Sequence, residues 1–315
     1  MTFGIHNIIG IHRLHNRQKD YSNPLIFKSY KQWSSWQQKL FDYFIWCHLD
    51  RAGEFIVTLF CWFCLFPLTF HQANQWHWQW VSKVFLFNII CEFVTYSFWH
   101  WMTHARQSPY PHGPLHEKKF NPMNPYEEKG KNHLLREITY TTFGWLQSSF
   151  LQCIFMWLWA SKRLSYYNDF WSRPLFSIFI LLLITYWSAF HFYWVSDLGA
   201  FLYRHFHSLH HRSHNPGPWS GLSMHPVEHF FYYTRVYFPL LFSCHPIHFL
   251  FAKFQADIGP ISGHDGHDAP AGGAAFHYLH HAFFECNYGV PLINFDRLFG
   301  TYREYVRKPT TSTHQ

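Results

Sequence analysis

Charge is what this chain has least of: Asp, Glu, Lys and Arg make up 14% of its 315 residues, against about 25% in an average soluble domain. So little charge argues against an ordinary water-soluble globule. Disulfide scaffolding is excluded as well, because the seven cysteines fall mostly inside apolar segments, where Cys acts as a small apolar residue. That reading covers Cys61 and Cys64, whose C-x-x-C spacing lies within an expected span rather than at a redox site. The sequence also has no internal repeat, no low-complexity tract and no clustered basic face. Its formal net charge of +7 comes from scattered flanking residues, so no nucleic-acid partner is expected. The first twenty residues lack the unbroken apolar run and small-residue cleavage site of a secretory signal, and the N-terminus is expected to stay cytoplasmic.

What is abundant is aromatic: sixteen Trp, nineteen Tyr and thirty-six Phe. Rings with one polar edge suit a protein that meets both hydrocarbon and the bilayer interface. Apolar stretches almost free of charge run over Phe55–Phe70, Trp80–Met102, Ile138–Ala160 and Leu175–Val195, and these read as membrane helices. Phe230–Phe254 is a fifth stretch, interrupted by Arg235, His245 and prolines, which suits a re-entrant or interfacial helical pair. The expected class is therefore an all-α polytopic membrane protein with about four spans. A segment 1–54 would precede a membrane-embedded domain 55–315. Lys and Arg crowd the first fifty residues and return at Arg106, Lys118, Lys119, Lys129, Lys131 and Arg136, whereas the turn around His71–His77 has none. Positive-inside counting places both charged segments, and the His-rich region after the fourth span, in the cytosol.

Twenty-seven histidines are the second excess. Two copies of H-x-x-H-H stand out, His207/His210/His211 and His277/His280/His281. On a helix each triplet shares a face and could aim three imidazoles at one point or at two neighbouring metals. Neutral imidazole suits Fe, Zn, Cu and Ni, and a site of His with hardly any Cys argues against a structural zinc finger. His6, His12, His15, His112, His116 and His314 read as surface residues.

"HSLHH", "PWSGLSMHPVEH", "GHDGH", "FHYLHH" and the pair "CNYG" and "FDRLFGTY" resemble the membrane-bound sterol desaturase and fatty acid hydroxylase superfamily, with the likeness strongest over 154–302. The resemblance implies a cytosolic cap of His boxes holding two non-haem irons, which use O2 to hydroxylate or desaturate a lipid. It also implies an endoplasmic-reticulum membrane and a separate electron donor such as cytochrome b5 with its reductase. Carried over residue by residue, it makes His207, His210, His211, His277, His280 and His281 ligands and adds His264. His225 and His229 are ligands or residues that orient ligands, with Glu228, Asp265 and Asp268 as nearby acceptors and His267 beside them.

The family's first box, H-x(3,4)-H, is missing. "SDLGA" stands in its place, with Ser196 and Ala200 at the two ligand positions. His191, Asp197, His205, His214 or the pair His100/His104 could stand in. Two rival readings stay open: a scaffold or regulatory membrane protein that lost turnover with the box, and a membrane zinc hydrolase of lipids.

Overall fold

The computed structural model describes residues 35–49, 51–105, 126–128, 131–196, 205–266 and 273–303. Among them the chain is almost wholly helical. Among the described residues the only strands are two of two residues each, Glu127–Glu128 against Lys131–Asn132. Three helical segments are long and apolar enough to cross a membrane: α1 (Trp36–Gln72), α2 (Trp78–His100, continued by a wide turn to His104) and α4 (Pro174–Ser196). Their outward faces carry exposed Phe63, Trp78, Leu86, Ile90, Phe98, Leu175 and Phe179. In water such a surface would be an aggregation liability; in lipid it is the solvent-facing side. The protein is thus an all-α integral membrane protein.

Two expected spans differ in detail. The one expected at Phe55–Phe70 lies within a longer helical run that starts at Trp36 and widens into π-type turns at Asp42–Trp46 and Cys61–Leu65. The one expected at Ile138–Ala160 is α3 (Leu134–Ala160), about 40 Å long by its helical rise, yet it is not among the three apolar spans. Its inner face is polar, with Thr141, Ser148, Ser149 and Gln152 all buried. Asn88 of α2 answers them, donating to Ser149 Oγ at 3.0 Å and to Gln152 Oε1 at 2.9 Å.

The interrupted fifth stretch becomes α5 (Pro226–Tyr233), a 3₁₀ segment Thr234–Leu241, and α6 (Pro246–Ile258). Each of the two helices starts on a histidine whose ring accepts from a backbone N–H two residues on: His225 from Val227 and His245 from Ile247. Proline at the first helical position adds a preset φ. All thirteen residues of α6 are buried, including the polar Lys253, Gln255 and Asp257. Tyr96 and Tyr232 hydroxyls and the Arg235 guanidinium bond to its last carbonyls, those of Asp257, Ala256 and Gln255. These donors satisfy the C-terminal carbonyls that a helix cannot pair internally.

Beyond α6 the chain makes one helical turn at Pro260–Gly263 and then α7 (Gly273–Phe283) and α8 (Phe295–Phe299). This cap rests on one end of the bundle. Trp99 Nε1, near the end of α2, donates to Asp265. Thr141, in the second turn of α3, donates to the Trp219 carbonyl. Glu137, also in the first turns of α3, accepts from Ser213 and pairs with Arg136. Phe192, near the end of α4, packs against His277.

Candidate metal centre

The two histidine triplets meet in the cap, but not as two separate clusters. His210, His264, His277 and His281 form one group and His207, His211 and His280 a second, the candidate ligand atoms of each group lying within 4.8 Å of one another. Each triplet contributes to both groups. On α7, His277 and His281 are one α-helical turn apart and turn to the first group, while His280 turns to the second. His207, His210 and His211 sit on a 3₁₀ turn, His207–Arg212, rather than the α-helix expected. There His207 and His211 go to the second group and His210 to the first. Of the two arrangements the spacing allowed, one point or two, the structure has two.

Within the groups the nitrogens are at the spacing of ligands around one ion. His264 Nε2 lies 3.2 Å from His281 Nε2 and 3.1 Å from His277 Nε2. His211 Nε2 lies 2.7 Å from His207 Nε2 and 3.1 Å from His280 Nε2. Nitrogens each about 2.0–2.1 Å from a shared metal ion stand about this far apart.

The far side of several rings fixes which nitrogen is bare. His207 Nδ1 faces Glu228 Oε1 at 2.5 Å, His264 Nδ1 faces the Pro260 carbonyl at 2.7 Å and His280 Nδ1 faces the Cys286 carbonyl at 2.8 Å. Oxygens of this kind accept, so the proton sits on Nδ1 and each Nε2 offers a lone pair, since a neutral imidazole has one N–H. His207 Nε2 and His280 Nε2, both bare, are 3.4 Å apart. Two lone pairs so placed repel unless a cation lies between them, and this is where the residues present fit a metal ion.

Burial keeps the rings in the metal-ready neutral form. Desolvation, reinforced by neighbouring imidazoles, holds His210, His211, His277 and His281 well below the ordinary 6.5. Desolvation takes His264 down to about 4, and the same effect, aided by His207, takes His280 to about 3. The two groups differ in environment. All four rings of the first are buried, whereas His207 at the edge of the second keeps 14% side-chain exposure.

The other residues singled out from the sequence are placed as follows. Glu228, in the first turn of α5, holds His207. Asp265 accepts from Trp99 and joins neither group. His229 is buried with Nε2 against the Leu222 carbonyl at 2.8 Å, and His225 caps α5; neither joins a group. His191 pairs with Thr234 Oγ1 at 2.7 Å, inside the bundle. His100 and His104 stack on each other at 5.8 Å beside Tyr126 and stay out of both groups. His205 packs on Phe206 and His214 on Phe284. Asp197, Ala200, His267 and Asp268 lie outside the described residues.

Two kinds of support, backbone carbonyls and the Arg136 contacts, were not singled out beforehand, whereas Asn287 and Asp296 belong to the "CNYG" and "FDRLFGTY" stretches already noted. The Pro260 and Cys286 carbonyls are backbone groups, which a residue pattern does not display. Arg136 bonds Ser213 as well as Glu137, tying the start of α3 to the strand of chain just after His211. Asn287 (φ +53°) and Asp296 shape the wall beside His280. The Asn287 amide donates to the Phe276 and Arg303 carbonyls. Asp296 gathers the Tyr288 and Gly289 N–H groups and the Thr301 hydroxyl, so the Tyr288 ring stands 5.4 Å from that of His280.

Residues 174–301 match the model of the fatty acid hydroxylase family. A Delta(7)-sterol 5(6)-desaturase of Gibberella zeae is 32% identical over 140 residues, 43% of this chain and 38% of the relative. A probable Delta(7)-sterol 5(6)-desaturase of Neurospora crassa is 27% identical over 185 residues, 56% of this chain and 52% of the relative. A lathosterol oxidase of Rattus norvegicus is 27% identical over 191 residues, 55% of this chain and 62% of the relative. The chain therefore spans between roughly two fifths and three fifths of the length of these proteins. No solved structure matches it.

Proposed function

We propose that this chain, whose residues 174–301 fall in the sterol desaturase and fatty acid hydroxylase superfamily, is a membrane oxidoreductase that hydroxylates or desaturates a lipid, a sterol in the first instance. The observation that carries the reading is the pair of imidazole groups, with bare Nε2 atoms turned inward on rings locked from behind by Glu228, Pro260 and Cys286. His210, His264, His277 and His281 would hold one non-haem iron and His207, His211 and His280 the other. Such a pair of irons supplies activation of O2 for attack on an unactivated C–H bond. All-nitrogen donor sets suit iron redox chemistry.

The chain's own residues do the rest. Glu228 accepts the hydrogen bond of His207 Nδ1–H and so turns the lone pair onto Nε2. The two backbone carbonyls do the same for His264 and His280, and because carbonyls carry no proton to give back, those two tautomers are the firmer. Burial of six of the seven rings excludes bulk water, which would otherwise compete for metal positions and quench a reactive oxidant. The electrons come from a separate donor such as cytochrome b5 with its reductase, in the endoplasmic-reticulum membrane, with the cap on the cytosolic face.

The likeness to sterol desaturases supports the sterol, and the exposed apolar helix faces support delivery from lipid. Expression in yeast lacking its own Delta(7)-sterol 5(6)-desaturase, with sterol profiling by mass spectrometry and metal analysis of the purified protein, tests the reading. Recovered sterol 5(6)-desaturation that His280→Ala abolishes is the expected result. Two irons per chain with no sterol product would move the substrate to another lipid. Zinc in place of iron, with lipid hydrolysis that needs no O2, would replace the reading by that of a hydrolase. The second group, with three imidazoles against four, is the observation favouring the alternative of a scaffold that lost turnover; metal well below one per chain would favour that outcome.

A further inference from the structure

A second cluster of ionisable groups lies inside the bundle, on residues that the metal centre does not use. Lys253 of α6 donates to Glu92 Oε1 of α2 at 2.8 Å and to Asp257 Oδ2, one turn along α6, at 2.9 Å. All three side chains are at most 1% exposed. Two carboxylates and one ammonium leave a formal charge of −1 on fully buried side chains, where an uncompensated ion is strongly disfavoured.

The two carboxylates are not equally supported. Asp257 receives three donors: Lys253 and the Ser148 hydroxyl at 2.9 Å on Oδ2, and the Tyr233 hydroxyl at 2.8 Å on Oδ1. Glu92 has Lys253 as its one donor, on Oε1, its carboxyl lies within hydrogen-bonding reach of the Asp257 carboxylate, and its Oε2 is buried without a donor. One turn earlier on the same face of α2, Asn88 Oδ1 is likewise buried and unpartnered, its amide N–H groups being committed to Ser149 and Gln152. Side chains four apart on a helix stand about 5–6 Å apart at Cβ, within mutual reach directly or through one water. So the cluster has one negative charge too many and two oxygen acceptors too many, and both excesses occur at the same place.

We propose that this is a proton-binding site: Glu92 carries a proton on Oε2 at neutral pH and offers it toward Asn88 Oδ1, while Asp257 remains the ionised partner of Lys253. One proton removes the surplus charge, gives Oε2 a role as donor and supplies the acceptor one turn away. Other groups facing the pocket do not compete for that role. Cys61 of α1, Cys91 of α2 and Cys153 of α3 are thiols, neutral at neutral pH. Tyr96 and Tyr233 are donors already committed to Asp257. Among the described residues, Lys253 and Asp257 are the charges in contact with Glu92. The folded protein thus takes up one proton per chain at membrane depth, independently of any metal in the cap.

Infrared spectroscopy of the purified protein in nanodiscs, in sodium-free buffer at neutral pH, tests this. The expected result is a carboxylic-acid C=O band that shifts in heavy water and vanishes in Glu92→Gln. That variant, a neutral isostere, should keep the melting temperature and the metal content of the parent, whereas Asp257→Asn should lower the melting temperature markedly. If the parent shows no carboxylic-acid band that Glu92→Gln removes, or if Glu92→Gln destabilises as much as Asp257→Asn, Glu92 is ionised and the proposal fails. Sodium-dependent stabilisation lost in Glu92→Gln would also overturn it, by placing a metal cation where the proton is proposed.

Discussion

Glu228→Gln isolates one part of the metal centre, because Glu228 touches His207 and no other ring of either group. In the parent, Oε1 accepts the hydrogen bond of His207 Nδ1–H at 2.5 Å. This contact fixes the tautomer and lends the ring the negative charge that strengthens Nε2 as a donor. Glutamine keeps the shape and an oxygen but loses the charge, and its amide can turn an N–H toward the ring instead. Loss of a partner behind a ligating histidine typically weakens metal binding about 10–100-fold, which is about 1.4–2.7 kcal/mol. The penalty should fall on the group of His207, His211 and His280 alone. His264 and His280 are held by backbone carbonyls that the substitution does not reach, and the four-imidazole group has no contact with Glu228. Purified variant and parent, dialysed against graded chelator and analysed for metal by mass spectrometry, should therefore part company over a single ion. The variant should drop from two ions per chain to one at a chelator strength that leaves the parent full, and His211→Ala should do the same more severely. Unchanged retention, or loss of both ions together, would refute the division into two groups with separate supports.

Other expectations follow from particular contacts. A Cβ on Gly144 would lie 2.8 Å from His229 Nε2, a ring pinned by the Leu222 carbonyl, so Gly144→Ala should destabilise by about 1–3 kcal/mol, read as a lowered melting temperature; an unchanged one would mean that α3 and α5 slide apart freely. In chelator-treated protein, His264 and His280 have folded-state values of about 4 and about 3 against an ordinary 6.5. Their contribution is thus complete above pH 6.5 and lost as pH falls toward 4 and then 3. Melting temperature should decline over that window, and a flat profile would contradict the burial of these rings. A glycosylation acceptor inserted between Thr103 and Glu137 should stay unmodified if the cap end is cytosolic, and efficient glycosylation would reverse the orientation.

The histidine boxes were legible in the sequence because ligands spaced by helical geometry repeat at three and four residues. Their distribution was not, since a pattern cannot distinguish a 3₁₀ turn at His207–Arg212 from an α-helix, and the turn decides which ring faces which group. Helices α2 and α4 were legible as long apolar runs almost free of charge. The start of α1 was hidden by charges: Arg51 and Glu54 interrupt the run, yet they neutralise each other at 3.1 Å, with Glu54 buried. For α3 the apolar count misled in the other direction, because polar residues that pair across to Asn88 and Asp257 sit on the face turned inward. Glu228 was found from its place in "HPVEH". The carbonyls behind His264 and His280 follow from where the backbone turns after α6 and α7, and a string of side chains does not encode that directly.

The crossing of the two triplets has a consequence for the order of events on the ribosome. Each group draws from His207–His211 and from α7, so a nascent chain that has emerged only as far as α6 can complete neither. Helices α1 to α4 can be inserted and α6 seated among them before any ion has a place to go. If the two groups bind metal as proposed, its capture is a late, post-insertional step that reports the docking of one distant segment on another. An ion delivered early finds only half-sites on a single turn, too weak to hold the chain in a wrong arrangement.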